Sequence, residues 1–127
     1  MVVGVGLDLV EIARAEHMIE SLGDRMYERL FSEDEARYIR SKPLPGQHAA
    51  VRLAAKEATF KALAGNELAR RISWRDVEVV SDAHGIPSIR LHGTAEERAK
   101  ELGVTRVHVS LSHTHGMAGA VVILSVD

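Results

Sequence analysis

Two carboxylates and a lysine, Asp8, Glu57 and Lys61, are the residues of this chain best suited to phosphate chemistry. Asp8 lies in a glycine-rich, strand-like run, where an unpaired carboxylate is costly to bury, so it needs a partner. It could cap the helix starting near Glu11, pair with a lysine or arginine, or bind a cation with a second carboxylate. In that last case Glu57 is the natural second ligand, since proteins often hold Mg²⁺ with two carboxylates and a substrate phosphate.

Lys61 lies four residues after Glu57 in the segment HAAVRLAAKEATFKAL (48–63), whose composition and spacing predict a core-facing helix. Residues four apart share one face of a helix. Two interpretations stay open: a surface Glu57–Lys61 pair that contributes a few tenths of a kcal/mol, or a lysine that faces a bound phosphate. Arg52 lies on the same helix, and Lys56 is interpreted as a solvated or locally paired charge.

Positive charge is concentrated in the middle of the chain, although the net charge is −2 at pH 7. Between positions 52 and 75 there are six basic residues (Arg52, Lys56, Lys61, Arg70, Arg71, Arg75) and two acidic ones (Glu57, Glu67). Anions should collect there, while a solvated basic surface is the plainer alternative. The overall charge argues against broad nucleic-acid binding.

The segment HVSLSHTH (108–115) could supply donors to a phosphate. An extended chain would place hydroxyls on one side (Ser110, Ser112, Thr114) and the other side chains opposite (Leu111, His113, His115). The two histidines of the HTH sequence could instead bind zinc, but spacing suggests no third ligand and no cysteine is available. Polar turn residues are a third interpretation.

Composition places these residues in one ordinary domain of 127 residues, 46% hydrophobic and 27% charged. The absence of cysteine excludes disulfides and thiol catalysis and fits a reducing cytoplasm. The opening run is interrupted by Gly4, Gly6 and Asp8 and has no basic leader, so we expect neither a signal peptide nor a membrane span, and a chain that begins at Met1.

The periodicity predicts an α+β domain over residues 1–127 with a largely antiparallel sheet. We expect strands at 2–10, 76–81, 88–92, 104–111 and 117–126, and helices at 11–22, 24–30, 32–40, 48–63 and 94–102, with a loop at 42–47. Ser32 with Glu35, and Thr94 with Glu97, have the form of capping boxes. The first strand is predicted to be buried.

Five motifs together resemble the holo-[acyl-carrier-protein] synthases, the short single-domain bacterial class of 4′-phosphopantetheinyl transferases. These are GVGLDLVEIAR (4–14), VRLAAKEATFKAL (51–63), W-x-D-V-E-V (74–79), D-x-x-G-x-P (82–87) and HVSLSHT (108–114). The resemblance covers nearly the whole chain in the family's order. It implies that family's fold, with an antiparallel sheet packed against a long central helix and shorter helices.

The resemblance also implies an activity: transfer of the 4′-phosphopantetheine of coenzyme A to a serine of apo-acyl carrier protein in fatty acid biosynthesis. Adenosine 3′,5′-bisphosphate would be released, and Mg²⁺ would be required. Carried over by motif, Asp8 and Glu57 would be the Mg²⁺ ligands, and Lys61 would contact a phosphate or assist deprotonation of the serine. Coenzyme A phosphates, including the 3′-phosphate, would be bound by a second set: Arg52, Ser112, His113 and Thr114.

The family also implies protein partners. Carrier proteins are acidic, so a basic and partly apolar docking face is expected on the first helices, at Arg14, Met18, Arg25 and Met26. Neighbouring glutamates dilute this face, and an ordinary solvated helix is the alternative. Members of the family form trimers with active sites between subunits, where Asp8 and Glu57 of one chain meet the C-terminal strands of another.

The chain departs from the family pattern at three places: Leu53 replaces a phenylalanine, Ala64-Gly65-Asn66 replaces Gly-Thr-Gly, and Met117 replaces an aromatic residue. The second departure puts nearby coenzyme A contacts in doubt, because glycines let a backbone approach a ligand closely. Two other functions fit the residues alone. One is a Mg²⁺-dependent phosphohydrolase with the same carboxylates, and the other is a non-enzymatic adaptor whose basic centre binds an acidic protein or RNA.

Overall fold

The structure, a computed structural model, describes all residues from Met1 to Asp127. Its strands are β1 (Val2–Glu11), β2 (Val77–Ser81), β3 (Pro87–Leu91), β4 (Arg106–His113) and β5 (Met117–Ser125). Its helices are α1 (Ile12–Leu22), α2 (Asp24–Leu30), α3 (Glu33–Arg40), α4 (Pro45–Leu63) and α5 (Gly93–Glu101), with 3₁₀ turns at Ala69–Arg71 and Trp74–Asp76. None of the helices has the length and apolar character that crossing a membrane requires.

Two antiparallel sheets surround the long helix α4. The larger has the strand order β1-β5-β4, and the smaller is the β2-β3 hairpin. One face of the larger sheet packs against α4, whose alanines are buried on several sides of the helix (Ala49, Ala50, Ala54, Ala55, Ala58). The predicted α+β class with an antiparallel sheet on a long central helix is therefore confirmed.

Strand β1 lies directly on the backbone of α4 because glycines occupy its inward positions. A Cβ atom built on Gly6 would lie 1.8 Å from the carbonyl oxygen of Ala58, and one on Gly4 would lie 2.3 Å from that of Ala62. Alternate residues of a strand share a face, so Asp8 follows these glycines toward the helix. The glycine pattern thus brings a carboxylate against the last turns of α4.

The opposite face of β1 is exposed, so the prediction of a fully buried strand is only half right. Val5, Leu7 and Leu9 are 58%, 63% and 64% exposed, respectively. They pair across the sheet with Ile123, Val121 and Gly119 of β5. One chain therefore leaves an apolar sheet face uncovered.

Two helix starts differ from the prediction. Helix α4 begins at Pro45, inside the predicted loop, because proline is well accommodated in the first turn, where its missing N–H has no intrahelical partner. The capping box expected at Thr94 does not form, since α5 begins at Gly93 without a side-chain cap. The box at Ser32 does form: Ser32 Oγ accepts from Glu35 N at 3.1 Å, and Ser32 N donates to Glu35 Oε1 at 2.9 Å.

Candidate active site

Asp8 and Lys61 form an ion pair where β1 meets α4. Lys61 Nζ donates to Asp8 Oδ1 at 2.8 Å and to the carbonyl oxygen of Leu7 at 3.0 Å. Asp8 is 9% exposed, whereas the Lys61 side chain is 57% exposed. Helix α1 has no side-chain cap, so pairing with a lysine, and not capping, satisfies Asp8. The other carboxylate oxygen, Oδ2, is buried without a hydrogen-bond partner.

Glu57 completes a pair of carboxylates. Burial and the neighbouring Asp8 carboxyl raise the pKa of Glu57 to about 7. Burial acts to raise the pKa of Asp8 as well, but interactions with Glu57 and Lys61 outweigh it, and this pKa is lowered. The surface Glu57–Lys61 pair considered from the sequence does not form, because Lys61 reaches across to the strand. The result is two adjacent carboxylates with one unpartnered buried oxygen.

Glu57 gives the metal-free protein a predictable pH dependence. Its folded pKa of about 7 lies above the ordinary 4.5, so the folded state holds a proton that the unfolded state releases between these values. Stability contributed by this group is therefore present at low pH and lost as the pH rises through about 7. Glu57→Gln, which mimics the protonated form, should raise the melting temperature at pH 8 by a few degrees in EDTA and change it little at pH 5.

The measurement is a thermal unfolding series from pH 5 to pH 8 with chelator present. Glu20→Gln, a substitution on the exposed side of α1, is the matched control and should leave the pH profile unchanged. A Glu57→Gln profile parallel to that of the parent protein would contradict the assignment of the raised pKa.

Arg52 lies on a different face of α4. It precedes Glu57 by five positions, which corresponds to a rotation of about 140° around a helix. Its guanidinium carbon lies 4.2 Å from the centre of the Tyr38 ring, and Nη1 donates to the carbonyl oxygen of His48 at 3.3 Å. The side chain is buried, and Nε has no partner. Arg52 therefore retains an unused donor beside an aromatic face.

Ser112, His113 and Thr114 form a third group, at the end of β4. Ser112 pairs with Gly119, which pairs with Leu9, so Ser112 lies on the sheet face opposite to Asp8. His113 Nε2 lies 3.1 Å from Gln47 Nε2, and Thr114 Oγ1 accepts from the backbone N–H of the next strand at 3.2 Å. No group of three or more His, Cys, Asp or Glu side chains is placed to hold a metal, so the histidine pair gains no third ligand for zinc.

The predicted site residues thus occupy three places in one chain. Asp8, Glu57 and Lys61 lie together, whereas Arg52 lies around the helix and the 112–114 group lies at the end of β4, with Ser112 on the opposite sheet face and His113 beside Gln47 of α4. His113 and Thr114 line an open cleft with Leu44 and Gln47 near the start of α4. A single chain does not bring the three groups into one pocket.

The residues predicted for the docking face differ in their exposure. Arg14 and Arg25 are exposed, and Met18 is half-buried against the core. Met26 is 0% exposed, so its assignment to the docking face is wrong: α2 is a short helix that turns this side chain into the core. The positive charge of Arg14 acts to lower the pKa of both Asp8 and Glu57, against the effect of burial.

The departure at Ala64-Gly65-Asn66 preserves the turn. Gly65 has φ of +132°, a conformation that favours glycine, and Asn66 Oδ1 accepts from Ala69 N at 2.9 Å. Beyond the end of α4 this turn borders an open cavity of about 690 Å³, together with Phe60 and Arg70. Leu53, the other departure within the helix, is buried in the core.

Sequence reasoning assigned Lys56 wrongly and missed its partners. Lys56 is fully buried rather than solvated, and it pairs with Glu35 of α3. Tyr38, which stacks under Arg52, was not singled out either. The spacing of Glu35 and Tyr38 on one helix, and of Arg52 and Lys56 on another, was the available signal, since both pairs lie one turn apart.

Comparisons with known proteins agree with this geometry. The sequence model of the 4′-phosphopantetheinyl transferase superfamily matches residues 4–120. A holo-[acyl-carrier-protein] synthase of Geobacter sp. (strain M21) is 44% identical over 98% of both chains. The structure of the Neisseria meningitidis synthase superposes with a TM-score of 0.85 at 26% identity, covering 98% of this chain and 99% of that one.

A second solved structure bears on the ligand. A holo-(acyl-carrier-protein) synthase from Bacillus anthracis, in complex with CoA (3′,5′-ADP), has a TM-score of 0.78 and 31% identity, with 100% and 99% of the two chains covered. The chain belongs to the 4′-phosphopantetheinyl transferase superfamily. Within it, the full-length matches are holo-[acyl-carrier-protein] synthases, and the resemblance inferred from the five motifs is confirmed.

Proposed function

We propose that the chain transfers the 4′-phosphopantetheine of coenzyme A to a serine of apo-acyl carrier protein, in the cytoplasm. A bond forms between the seryl oxygen and the phosphorus that carries pantetheine, while the bond from that phosphorus to adenosine 3′,5′-bisphosphate breaks and the seryl proton is released to water. The observation that carries the proposal is the junction of β1 and α4, where Asp8, Glu57 and Lys61 lie together in a chain of this family. Positioning and charge stabilisation are the main contributions a protein makes to such a transfer.

The carboxylate pair fits Mg²⁺. Asp8 Oδ2 is buried without a partner, and the adjacent Glu57 is poised to lose its proton near neutral pH. Mg²⁺ is bound in proteins by one or two carboxylates plus substrate phosphates, and two carboxylates are what this chain offers. When bound there, the ion would neutralise the diphosphate oxygens on which charge develops.

Lys61 acts as a cation in this proposal and not as a base. Its ammonium group already donates to a carboxylate and a carbonyl, and its exposed side chain can turn from Asp8 toward a phosphate oxygen. The cavity beyond the end of α4, one turn from Lys61, is the space we propose for the pantetheine arm. The phosphate would then be held by Lys61 and by a cation bound to Asp8 and Glu57.

Arg52 and the 112–114 group would bind the other phosphates from a neighbouring copy of the chain, in a homotrimer. Two observations support this arrangement. Ser112 lies on the sheet face opposite to Asp8 of its own chain, and the same face of β1 exposes three large apolar side chains. Packing this face against another copy would remove that apolar surface from water and complete the pocket.

An acidic carrier protein would dock beside the carboxylates, at Arg14 and Arg25 with Met18 as an apolar contact. Both arginines are exposed, as a surface that attracts an acidic carrier requires. We propose no nucleic acid or membrane partner.

Mass spectrometry of the carrier tests the function. The protein is incubated with coenzyme A, Mg²⁺ and an apo-carrier protein, and the carrier should gain the mass of one phosphopantetheine. An unchanged carrier, with a known synthase positive in parallel, would overturn the proposal. Loss of coenzyme A without labelling would favour the phosphohydrolase, and metal-independent binding of the carrier without either reaction would favour the adaptor.

Replacement of Lys61 separates a phosphate contact from a structural pair. Lys61→Ala should lower the transfer rate by about 10- to 100-fold, the range for a lost charged hydrogen bond, with little change in melting temperature because the side chain is mostly exposed. Transfer rates and thermal unfolding are measured together. A variant that loses stability but keeps its specific activity would show that the lysine only neutralises Asp8. Lys100→Ala, which removes an exposed lysine of α5, is the control.

A further inference from the structure

Lys56 and Glu35 form an ion pair that is completely shielded from water. Both side chains are 0% exposed, and Lys56 Nζ donates to Glu35 Oε1 at 2.9 Å, to the carbonyl oxygen of Trp74 at 3.0 Å and to that of Val77. Glu35 Oε2 accepts from Val79 N at 2.9 Å. The hydrogen bonds of this one pair therefore connect four elements: α3, α4, a 3₁₀ turn and strand β2.

Stability alone is a weak reason for such a pair. The attraction between two buried charges often does no more than offset their desolvation, and apolar residues of similar volume frequently serve as well. Burial lowers the pKa of Lys56, because desolvation disfavours the charged form of the lysine. What an ion pair with several hydrogen bonds adds is a fixed geometry, because each partner must meet the others at hydrogen-bond distance.

A second contact between α3 and α4 lies one helical turn away from the ion pair. Tyr38 follows Glu35 by three residues on α3, and Arg52 precedes Lys56 by four on α4, so the two helices meet at two successive contacts. In the first, Lys56 meets Glu35; in the second, the Arg52 guanidinium lies 4.2 Å above the Tyr38 ring. Sliding α3 along α4 would break both contacts together.

We propose that Lys56 and Glu35 are positioning residues for Arg52: they fix the register of α3 on α4, and Tyr38 then holds the guanidinium where it meets a ligand phosphate. This inference rests on the proposed function of Arg52 as a contact to the 3′-phosphate of coenzyme A. Arg52 lines an open cleft with Tyr38, Ser81 and Ser110, through which a ligand phosphate would reach the guanidinium group. Neither Lys56 nor Glu35 needs to contact the ligand.

The test compares coenzyme A with 3′-dephospho-coenzyme A, which lacks only the phosphate assigned to Arg52. The ratio of kcat/KM for the two substrates is measured for the parent protein and for Arg52→Ala, Lys56→Met, Glu35→Gln and Tyr38→Leu. The parent should prefer coenzyme A by about 10- to 100-fold, the range for a charged hydrogen bond, through KM more than kcat. All four variants should lose most of that preference, while kcat with the dephospho substrate should change little for Lys56→Met and Glu35→Gln, the two residues that do not contact the ligand.

A general loss of folded protein lowers both rates equally and leaves the ratio unchanged, so the ratio isolates positioning. Fluorescence of Trp74, the only tryptophan, reports whether each variant retains the packing around Lys56. Lys100→Met removes an exposed lysine and should keep the full preference. If Lys56→Met does not fold, Glu35→Gln, which keeps an acceptor oxygen in place, tests the same pair.

Two failures are distinguishable. A parent protein without preference, or Arg52→Ala with its preference intact, would overturn the proposed role of Arg52. Loss of preference in Arg52→Ala, with retention in Glu35→Gln or Lys56→Met, would overturn the positioning role of the pair while the function stands. If Tyr38→Leu alone keeps the preference for coenzyme A, the positioning role of the pair is overturned as well, because Tyr38 is the contact through which the pair is proposed to act.

Discussion

Asp8→Asn should reduce phosphopantetheine transfer by at least about 100-fold at saturating carrier and coenzyme A. Loss of a residue that only supports a metal ligand typically lowers activity or metal affinity 10- to 100-fold, and loss of a ligand itself should exceed that range. The substitution keeps the size of the side chain but removes the charge that Glu57 and Lys61 both face. The rate of carrier labelling is followed by mass spectrometry over a Mg²⁺ titration.

Asp34→Asn is the matched control, because it makes the same change in an exposed carboxylate that pairs with Arg37 at 2.8 Å. This variant should label the carrier at the parent rate. The Mg²⁺ titration adds a second readout, since weaker metal binding shifts the midpoint for Asp8→Asn toward higher Mg²⁺. An Asp8→Asn protein that transfers within tenfold of the parent, with an unchanged midpoint, would contradict the assignment of Asp8 as a metal ligand.

The carboxylate and lysine cluster was predictable because its cause is local in the sequence. Gly4, Gly6 and Asp8 alternate along one strand, and only glycine permits contacts as close as those made with α4. A strand face made of small residues and an alanine-rich helix therefore indicate that the two pack closely. The charged residues next to these small residues are then expected to lie near one another. The order of strands and helices was also predictable from local signals, namely hydrophobic periodicity and turn residues.

The environments of Lys56 and Met26 were not predictable in this way. Helix α4 is buried around most of its circumference, so helical period does not separate a solvent face from a core face, and Lys56 was interpreted as a solvated or locally paired charge. Met26 lies on a helix of seven residues, too short for a period to be identified. In both cases burial is decided by distant segments, including the strand that supplies the carbonyl of Val77 to Lys56.

The separation of Ser112 from Asp8 also depends on long-range pairing. Whether the two share a sheet face is determined by the registers of β1 and β4 on β5, and a shift of one residue would reverse the result. The sequence alone contains no signal for that register. The opposite faces are nevertheless informative, because they separate Ser112 from Asp8 within one chain.

The exposed apolar face of β1 is the proposed contact between subunits. Leu7→Glu should therefore convert the proposed trimer into monomers and abolish most of the transfer activity. Leu7 is 63% exposed in the single chain and lies at the centre of the apolar face, next to Val121 of β5. Burial of a leucine contributes about 1.5–3 kcal/mol, so its loss alone weakens each interface about 10- to 150-fold, and a carboxylate left at a subunit contact adds a desolvation penalty. Light scattering after size exclusion measures the mass.

Ile86→Glu is the control, since it places the same charge on an equally exposed apolar residue, in the β2-β3 turn and not on β1. It should remain trimeric and active. Because Asp8, Glu57 and Lys61 are intact in Leu7→Glu, a monomer with little activity would show that the pocket needs residues from a second copy. A Leu7→Glu monomer with full activity would mean that one chain suffices, and a parent protein that is itself monomeric would rule out the proposed assembly.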